Sequence, residues 1–173
     1  LDLAILDKQL APTRHRAQAL ILAGRVLVNP EPMTKPGTRI SDDDTVVIKG
    51  PDMPYVSRGG IKLAVALSQF QINVAGLHCM DIGASTGGFT DCLLQNGAAR
   101  VIAVDVGYGQ LAWKLRQNPN VIILERTNIR YLTVEEIPFP VDLAVIDVSF
   151  ISLKIVVPAI LKFLKNNATV IAL

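Results

Sequence analysis

The sequence predicts an α/β protein in which a parallel sheet, covered by helices on both faces, follows a small α+β module. Three observations predict it. From residue 58 onward, short runs that are apolar throughout alternate with helix-length segments, the pattern of strands buried on both faces. A glycine-rich turn, "GASTGG", follows the first of those runs. Residues 1–49 differ, with two short helical patterns and short β-prone runs between turns rich in Pro and Asp.

In chain order, "LDLAILDKQL" has helical spacing at Leu3, Leu6 and Leu10, and Pro12 ends it. Thr13 is placed to cap a second helix, "RHRAQALILA", which Gly24 closes. "RVLVN" and "TVVIK" are short strands. Residues 50–57, "GPDMPYVS", read as a linker because two prolines and a glycine disfavour regular structure. The second domain, 58–173, opens with helix "IKLAVALSQF". Strand "CMDIG", helix "GGFTDCLLQNG", strand "RVIAVDVG", helix "QLAWKLRQ" and strand "VIILE" follow. Strand "VDLAVID", helix "SLKIVVPAILKFLK" and strand "TVIAL" complete it, with Pro158 expected to start or kink the last helix.

Composition narrows the function. Half of the 173 residues are hydrophobic, so a core is available, and a net charge of +2 does not by itself announce a nucleic-acid binder. Cys79 and Cys92 make neither a disulfide framework nor a zinc site; they read as core residues, and no metal is expected. No apolar run is long enough to span a membrane and no signal peptide opens the chain, so a cytoplasmic protein without stable membrane association is expected. The sequence starts without methionine and stops inside "ATVIAL", which reads as an unfinished strand, so a fragment of a longer chain is expected.

The glycine turn is the first candidate site, because ligands of open α/β sheets bind at the carboxyl ends of the strands. A phosphate loop would carry lysine where Phe89 stands, so the cation for nucleotide phosphates is missing. A dinucleotide fingerprint would carry glycine where Ser85 stands, and Asp81 is an awkward neighbour for pyrophosphate. S-adenosylmethionine suits the turn better. It is free of phosphate and carries a sulfonium and an ammonium, which a carboxylate attracts. Asp105, at the end of the next strand, is placed to accept from ribose hydroxyls, a feature NAD would share. The competing structural reading is a helix N-terminus that needs small residues for packing.

For the methyl acceptor, Asp147 closes the strand "VDLAVID". The prolines that shape base-amino methylation sites are absent from "DVSF", and no cysteine lies on these loops to attack a pyrimidine ring. A hydroxyl acceptor remains. A ribose 2′-OH is a weak acid that benefits from a base and tight positioning, and Lys62 is a candidate if burial and cationic neighbours adjust it. A solvated helix lysine is the plainer reading.

The segments "YVSRGGIKLAVAL", "MDIGASTGGFTDCLL", "VDVGYGQLAWKLR", "ERTNIRYL" and "IDVSFISL" together closely resemble the haemolysin-A (TlyA-type) family. The resemblance implies a ribosomal RNA 2′-O-methyltransferase acting on cytidine. Its Rossmann-like, FtsJ-like S-adenosylmethionine-dependent sheet would follow an N-terminal RNA-binding domain of the kind shared with a small-subunit ribosomal protein and pseudouridine synthases. Pro30 departs from the glycine common after Asn29. The resemblance makes Lys62 and Asp147 the first half of a Lys-Asp-Lys-Glu tetrad, with the other half beyond residue 173, so the chain as written is expected to be inactive. It also implies a cofactor pocket of Asp81, Gly83, Ala84, Ser85, Thr86, Gly87, Gly88, Phe89, Asp105, Val106 and Asn128. The family's name adds a membrane-damaging reading, and an RNA-binding assembly factor without turnover is the alternative to an enzyme.

Between residues 13 and 39 five cations, Arg14, Arg16, Arg25, Lys35 and Arg39, face one anion, Glu31. That excess suits phosphate contacts with ribosomal RNA, and Arg58 is placed to guide the backbone. A solvated helix face explains any one arginine alone. Tyr55 and Tyr108 are placed to stack on a base or on adenine, or to pack in the core.

Overall fold

A computed structural model describes residues 1–50 and 53–173. Pro51 and Asp52, in the expected linker, lie outside the described residues. The chain divides into two compact units, Leu1–Asp52 and Met53–Leu173.

In the first unit, helices α1 (Asp2–Asp7) and α2 (Arg14–Leu22) precede an antiparallel sheet of order β2-β1-β3. Its strands are β1 (Val26–Val28), β2 (Glu31–Met33) and β3 (Val46–Ile48). The Arg16 N–H donates to Thr13 Oγ1 at 3.2 Å, the expected cap, and Gly24 follows α2 at φ +66°. α1 stops at Asp7 rather than running to Leu10, because the chain turns at Gln9, φ +56°, and the Leu10 N–H returns to the Ile5 carbonyl. Ala17, Leu20 and Ile21, on one stripe of α2, pack with Leu1, Ile5, Val26 and Val28.

The second unit is a parallel sheet of order β6-β5-β4-β7-β8. Its strands are β4 (His78–Ile82), β5 (Arg100–Val104), β6 (Val121–Leu124), β7 (Val141–Ile146) and β8 (Leu164–Ala172). Four helices accompany it: α3 (Gly59–Gln69), α4 (Gly88–Gln95), α5 (Trp113–Arg116) and α6 (Leu153–Ile160). Strand alternation separates two cores. Cys79, Val101, Leu143 and Val145 face Leu63 and Leu67 of α3 and Phe89, Cys92 and Leu93 of α4. Met80, Ile82, Ile102, Val104, Ala144 and Ile146 face Val156 and Ile160 of α6. Each fully buried Leu or Ile contributes about 1.5–3 kcal/mol of transfer free energy.

Three elements depart from expectation. α5 is one turn long, because Ala112 is extended (ψ 140°) and its N–H donates to the Thr86 carbonyl instead of to a helical partner. Pro158 lies inside α6 without ending it; the helix passes into a 3₁₀ turn at Leu161–Phe163. β8 begins at Leu164, well before "TVIAL", and its register against β7 shifts between Val141 and Leu143.

The strand order runs outward in opposite directions from β4 and β7. The carboxyl ends of these two neighbours therefore flank a switch point, where connections leave on opposite sides and a crevice opens.

Candidate active site

Gly83 follows β4 and Asp147 follows β7, and the two backbones meet there. A Cβ on Gly83 would stand 2.5 Å from the Asp147 carbonyl oxygen, and its φ is +86°. Only glycine accepts both the contact and the dihedral. A cleft of about 710 Å³ opens at this point, walled by Ile82, Val104, Ile129 and Val156 and edged by Ser85, Asp105, Asn128 and Asp147.

Lys62, in the first turn of α3, reaches Asp147 at the edge of the cleft. Its Nζ lies 3.1 Å from Asp147 Oδ2, joining residues 85 positions apart. The lysine side chain is 57% exposed and the aspartate 36%, so the pair faces solvent. Nζ is not buried, and its hydrogen-bond partner is a carboxylate. The pair depends on a close crossing of α3 and α4. A Cβ on Gly88 would stand 2.8 Å from the Gly60 nitrogen and also strike Ser57 Oγ. Tyr55, in the expected linker, packs against Gly60 and the α3–α4 core, and the Val56 N–H donates to Asp91 Oδ2 at 2.8 Å.

Asp105 is fixed by the backbone. Its Oδ2 accepts from the Ser85 N–H and its Oδ1 from the Gly107 N–H, both at 2.7 Å. Each oxygen keeps a second lone pair. The Ser85 hydroxyl bonds Gln110 Oε1 at 3.2 Å, which ties the glycine turn to the loop after β5. Asn128 Oδ1 accepts from the Arg130 N–H, and Val106 is exposed at the rim.

Asp81 lies one residue before the end of β4, on the α4 side of the sheet, and is 1% exposed. Its Oδ2 accepts from the Thr90 N–H at 2.9 Å and the Thr90 hydroxyl at 2.7 Å. Its Oδ1 is buried with no hydrogen-bond partner among the described residues. Burial pushes its carboxyl up to about 7; the two Thr90 bonds oppose this, while the charges of Asp105 and Asp147 reinforce it.

Of the residues singled out in the sequence, the cleft gathers Gly83, Ser85, Asp105, Val106, Asn128 and Asp147. The other expected cofactor-pocket residues lie outside its lining. Ala84 packs with Ala103, Leu111 and Leu115; Phe89 belongs to the core under α3; Gly87 and Gly88 start α4; Thr86 is exposed, with its carbonyl bonded to Ala112. Sequence reasoning missed Gln110, Thr127, Arg130, Ser149 and the exposed Phe150, all lining the cleft. The available signal was position: each follows a strand end by three to six residues.

In the first unit Arg14 Nε donates to Asp2 Oδ2 at 2.8 Å and Arg25 Nε to the Lys49 carbonyl at 3.0 Å. Arg16 is half-buried, and Lys35 and Arg39 are exposed; in the second unit Arg58 is exposed. Tyr108 is exposed, under the Arg126 guanidinium at 4.2 Å.

Residues 55–173 match the model of the FtsJ-like methyltransferases. The chain belongs to the FtsJ-like methyltransferase family. Residues 1–46 match the S4 domain. TlyA of Mycobacterium tuberculosis, named a 16S/23S rRNA (cytidine-2'-O)-methyltransferase, is 49% identical over 99% of this chain and 65% of its own length. YqxC of Bacillus subtilis, which carries an rRNA methyltransferase name, is 47% identical over 100% of this chain and 62% of its own. Among solved structures, a Streptococcus thermophilus protein with a hemolysin name superposes with a TM-score of 0.73 at 45% identity, over 99% of this chain and 63% of that one. The FtsJ-like chain thus spans less than two thirds of the length of these relatives.

Proposed function

We propose that the protein to which this chain belongs transfers a methyl group from S-adenosylmethionine to a ribose 2′-hydroxyl of ribosomal RNA, on cytidine as TlyA's name states. The observation that carries the reading is the Lys62–Asp147 pair at the mouth of the strand-end cleft.

The residues present fit that donor. The acidic edge of the cleft, Asp105 and Asp147, suits a ligand with two positive groups and no phosphate. Gly83 lets a ligand lie against the backbone where β4 and β7 meet. The unpartnered Oδ1 of Asp81 leaves acceptor capacity beneath the glycine turn. When bound, the donor supplies an electrophilic methyl group.

The chain's own residues do the rest. The spare lone pairs of Asp105 accept from the donor's ribose hydroxyls. The Lys62 ammonium orients the acceptor oxygen, and the Asp147 carboxylate takes the hydroxyl proton as the O–C bond forms and the methyl–sulfur bond breaks, leaving a neutral thioether. Acid–base help of this kind contributes on the order of 10²–10⁴-fold, and placement of the reacting groups adds to it. The N-terminal unit, with its local excess of cations, holds the RNA.

The test is methyl incorporation into isolated ribosomal subunits by the full-length protein. Lys62→Ala is expected to lower the rate by about 10²-fold or more while leaving calorimetric binding of adenosylhomocysteine within about twofold. Full activity in Lys62→Ala would overturn the catalytic assignment. RNA binding without methyl incorporation by the parent would favour a non-catalytic assembly factor. The hemolysin name of a relative sets a separate reading, which leakage of dye-loaded liposomes exposed to the protein would favour.

A further inference from the structure

The loop between β5 and α5, residues 105–112, carries Asp105 at its start and has no regular structure of its own. It is nevertheless tied at several points. Gly107 gives its N–H to Asp105 and accepts from the Arg126 N–H at 2.9 Å, and the Thr127 N–H donates to the Asp105 carbonyl at 2.9 Å. Farther along, Glu125 Oε1 accepts from the Gly109 N–H at 3.0 Å and from Arg116 Nη2. Arg116 Nε in turn donates to the Leu111 carbonyl at 3.0 Å. One ion pair therefore grips the far half of the loop from both sides.

The pair is suited to that work. The side chains are 22% and 12% exposed, far more enclosed than Lys62 and Asp147. A half-enclosed, charge-assisted pair with extra backbone bonds holds one geometry better than a surface pair does. The Arg116 guanidinium beside Glu125 holds its carboxyl below the ordinary range, so it stays an acceptor. The loop reaches the glycine turn through Ser85 and Gln110, and α5 reaches it through the Ala112–Thr86 bond. Movement of the loop would shift both oxygens of Asp105.

We infer that Arg116 and Glu125 are positioning residues: they brace the loop after β5 so that Asp105 meets the donor's ribose hydroxyls. The inference deepens the proposed function and rests on it for the identity of the ligand. Neither residue touches the cleft itself; each acts through the loop backbone.

Two readouts on the full-length protein test it with Glu125→Gln and Arg116→Met. The first is amide hydrogen exchange, which needs no ligand. Exchange is expected to accelerate at residues 107–111 in both variants while the amides of β4 and β5 stay protected. The second is calorimetric binding of adenosylhomocysteine and of its 2′,3′-dideoxy analogue. The variants should bind adenosylhomocysteine about tenfold more weakly, the scale of a lost charge-assisted hydrogen bond, and the dideoxy analogue about as well as the parent does. Unchanged exchange in the loop overturns the brace. Equal weakening of both ligands overturns the link to the ribose and leaves a merely structural ion pair. A parent protein that binds neither ligand defeats the proposed function and the ribose link with it, while the exchange result still decides the brace.

Discussion

Asp2 in the first unit and Asp81 in the second are both buried, and their surroundings drive them in opposite directions. Asp2 accepts from the Leu3 N–H, from Arg14 and from Gln18, and the Arg14 bond above all holds its carboxyl down at about 2. Among the described residues Asp81 has only Thr90, on one oxygen, and burial drives it up to about 7. The first unit uses its carboxylate to join α1 to α2. The second keeps a carboxylate short of partners at the place where the strand order reverses. A buried group left with spare capacity costs stability, so the contrast separates an acid paired within the fold from one left with an unpartnered oxygen.

The contrast breaks most strongly at Gly83. Gly83→Ala would drive a methyl group against the Asp147 carbonyl at a positive φ. We expect a loss of about 3 kcal/mol in urea unfolding, from overpacking plus dihedral strain, and no adenosylhomocysteine binding. Retained stability and binding would show that the β4 and β7 ends are not locked together.

Asp81→Asn tests the unpartnered acid itself. A carboxyl raised in the folded state supports folding at low pH, and that support disappears as pH rises from about 4 through about 7. The stability of the Asn variant relative to the parent should therefore climb by about 2 kcal/mol between pH 5 and 8. A pH-independent difference would place Asp81 in water or beside an unseen partner.

Asp2→Asn tests the opposite case. A depressed carboxyl contributes above its unfolded value near 4, and the contribution is lost as pH falls towards about 2. Acid titration followed by circular dichroism should find the first unit of the variant less sensitive over that window than the parent. An identical acid transition would mean that Arg14 does not hold Asp2 in solution.

The smallest effect belongs to the β1–β2 turn. Asn29 stands at φ +49°, the left-handed side that a two-residue hairpin needs, in a turn type that favours glycine after asparagine. Pro30→Gly should raise thermal stability slightly, by about 0.5–1 kcal/mol. A loss would mean that restriction of the unfolded chain by proline outweighs the turn's preference for glycine.

Much of this was legible in the sequence. The Thr13 cap, the Gly24 terminator and the apolar strands are local matters, set by dihedral preference and by residues two to four apart. The five-stranded parallel sheet followed from strands that are apolar on both faces. The glycine turn identified the end of the sheet where the cleft lies. α5 was overestimated because a bond from Ala112 to Thr86 removes it from the helix, a partner far along the chain.

The sequence by itself determined which segments become strands and helices and which residues carry charge into the loops. Only the tertiary structure decided that Lys62 meets Asp147, that Asp81 is enclosed with one oxygen unpartnered, and that Glu125 grips Gly109. Hydrogen bonds and desolvation act over a few ångströms in space. Strand order alone brings residues 85 apart within that range.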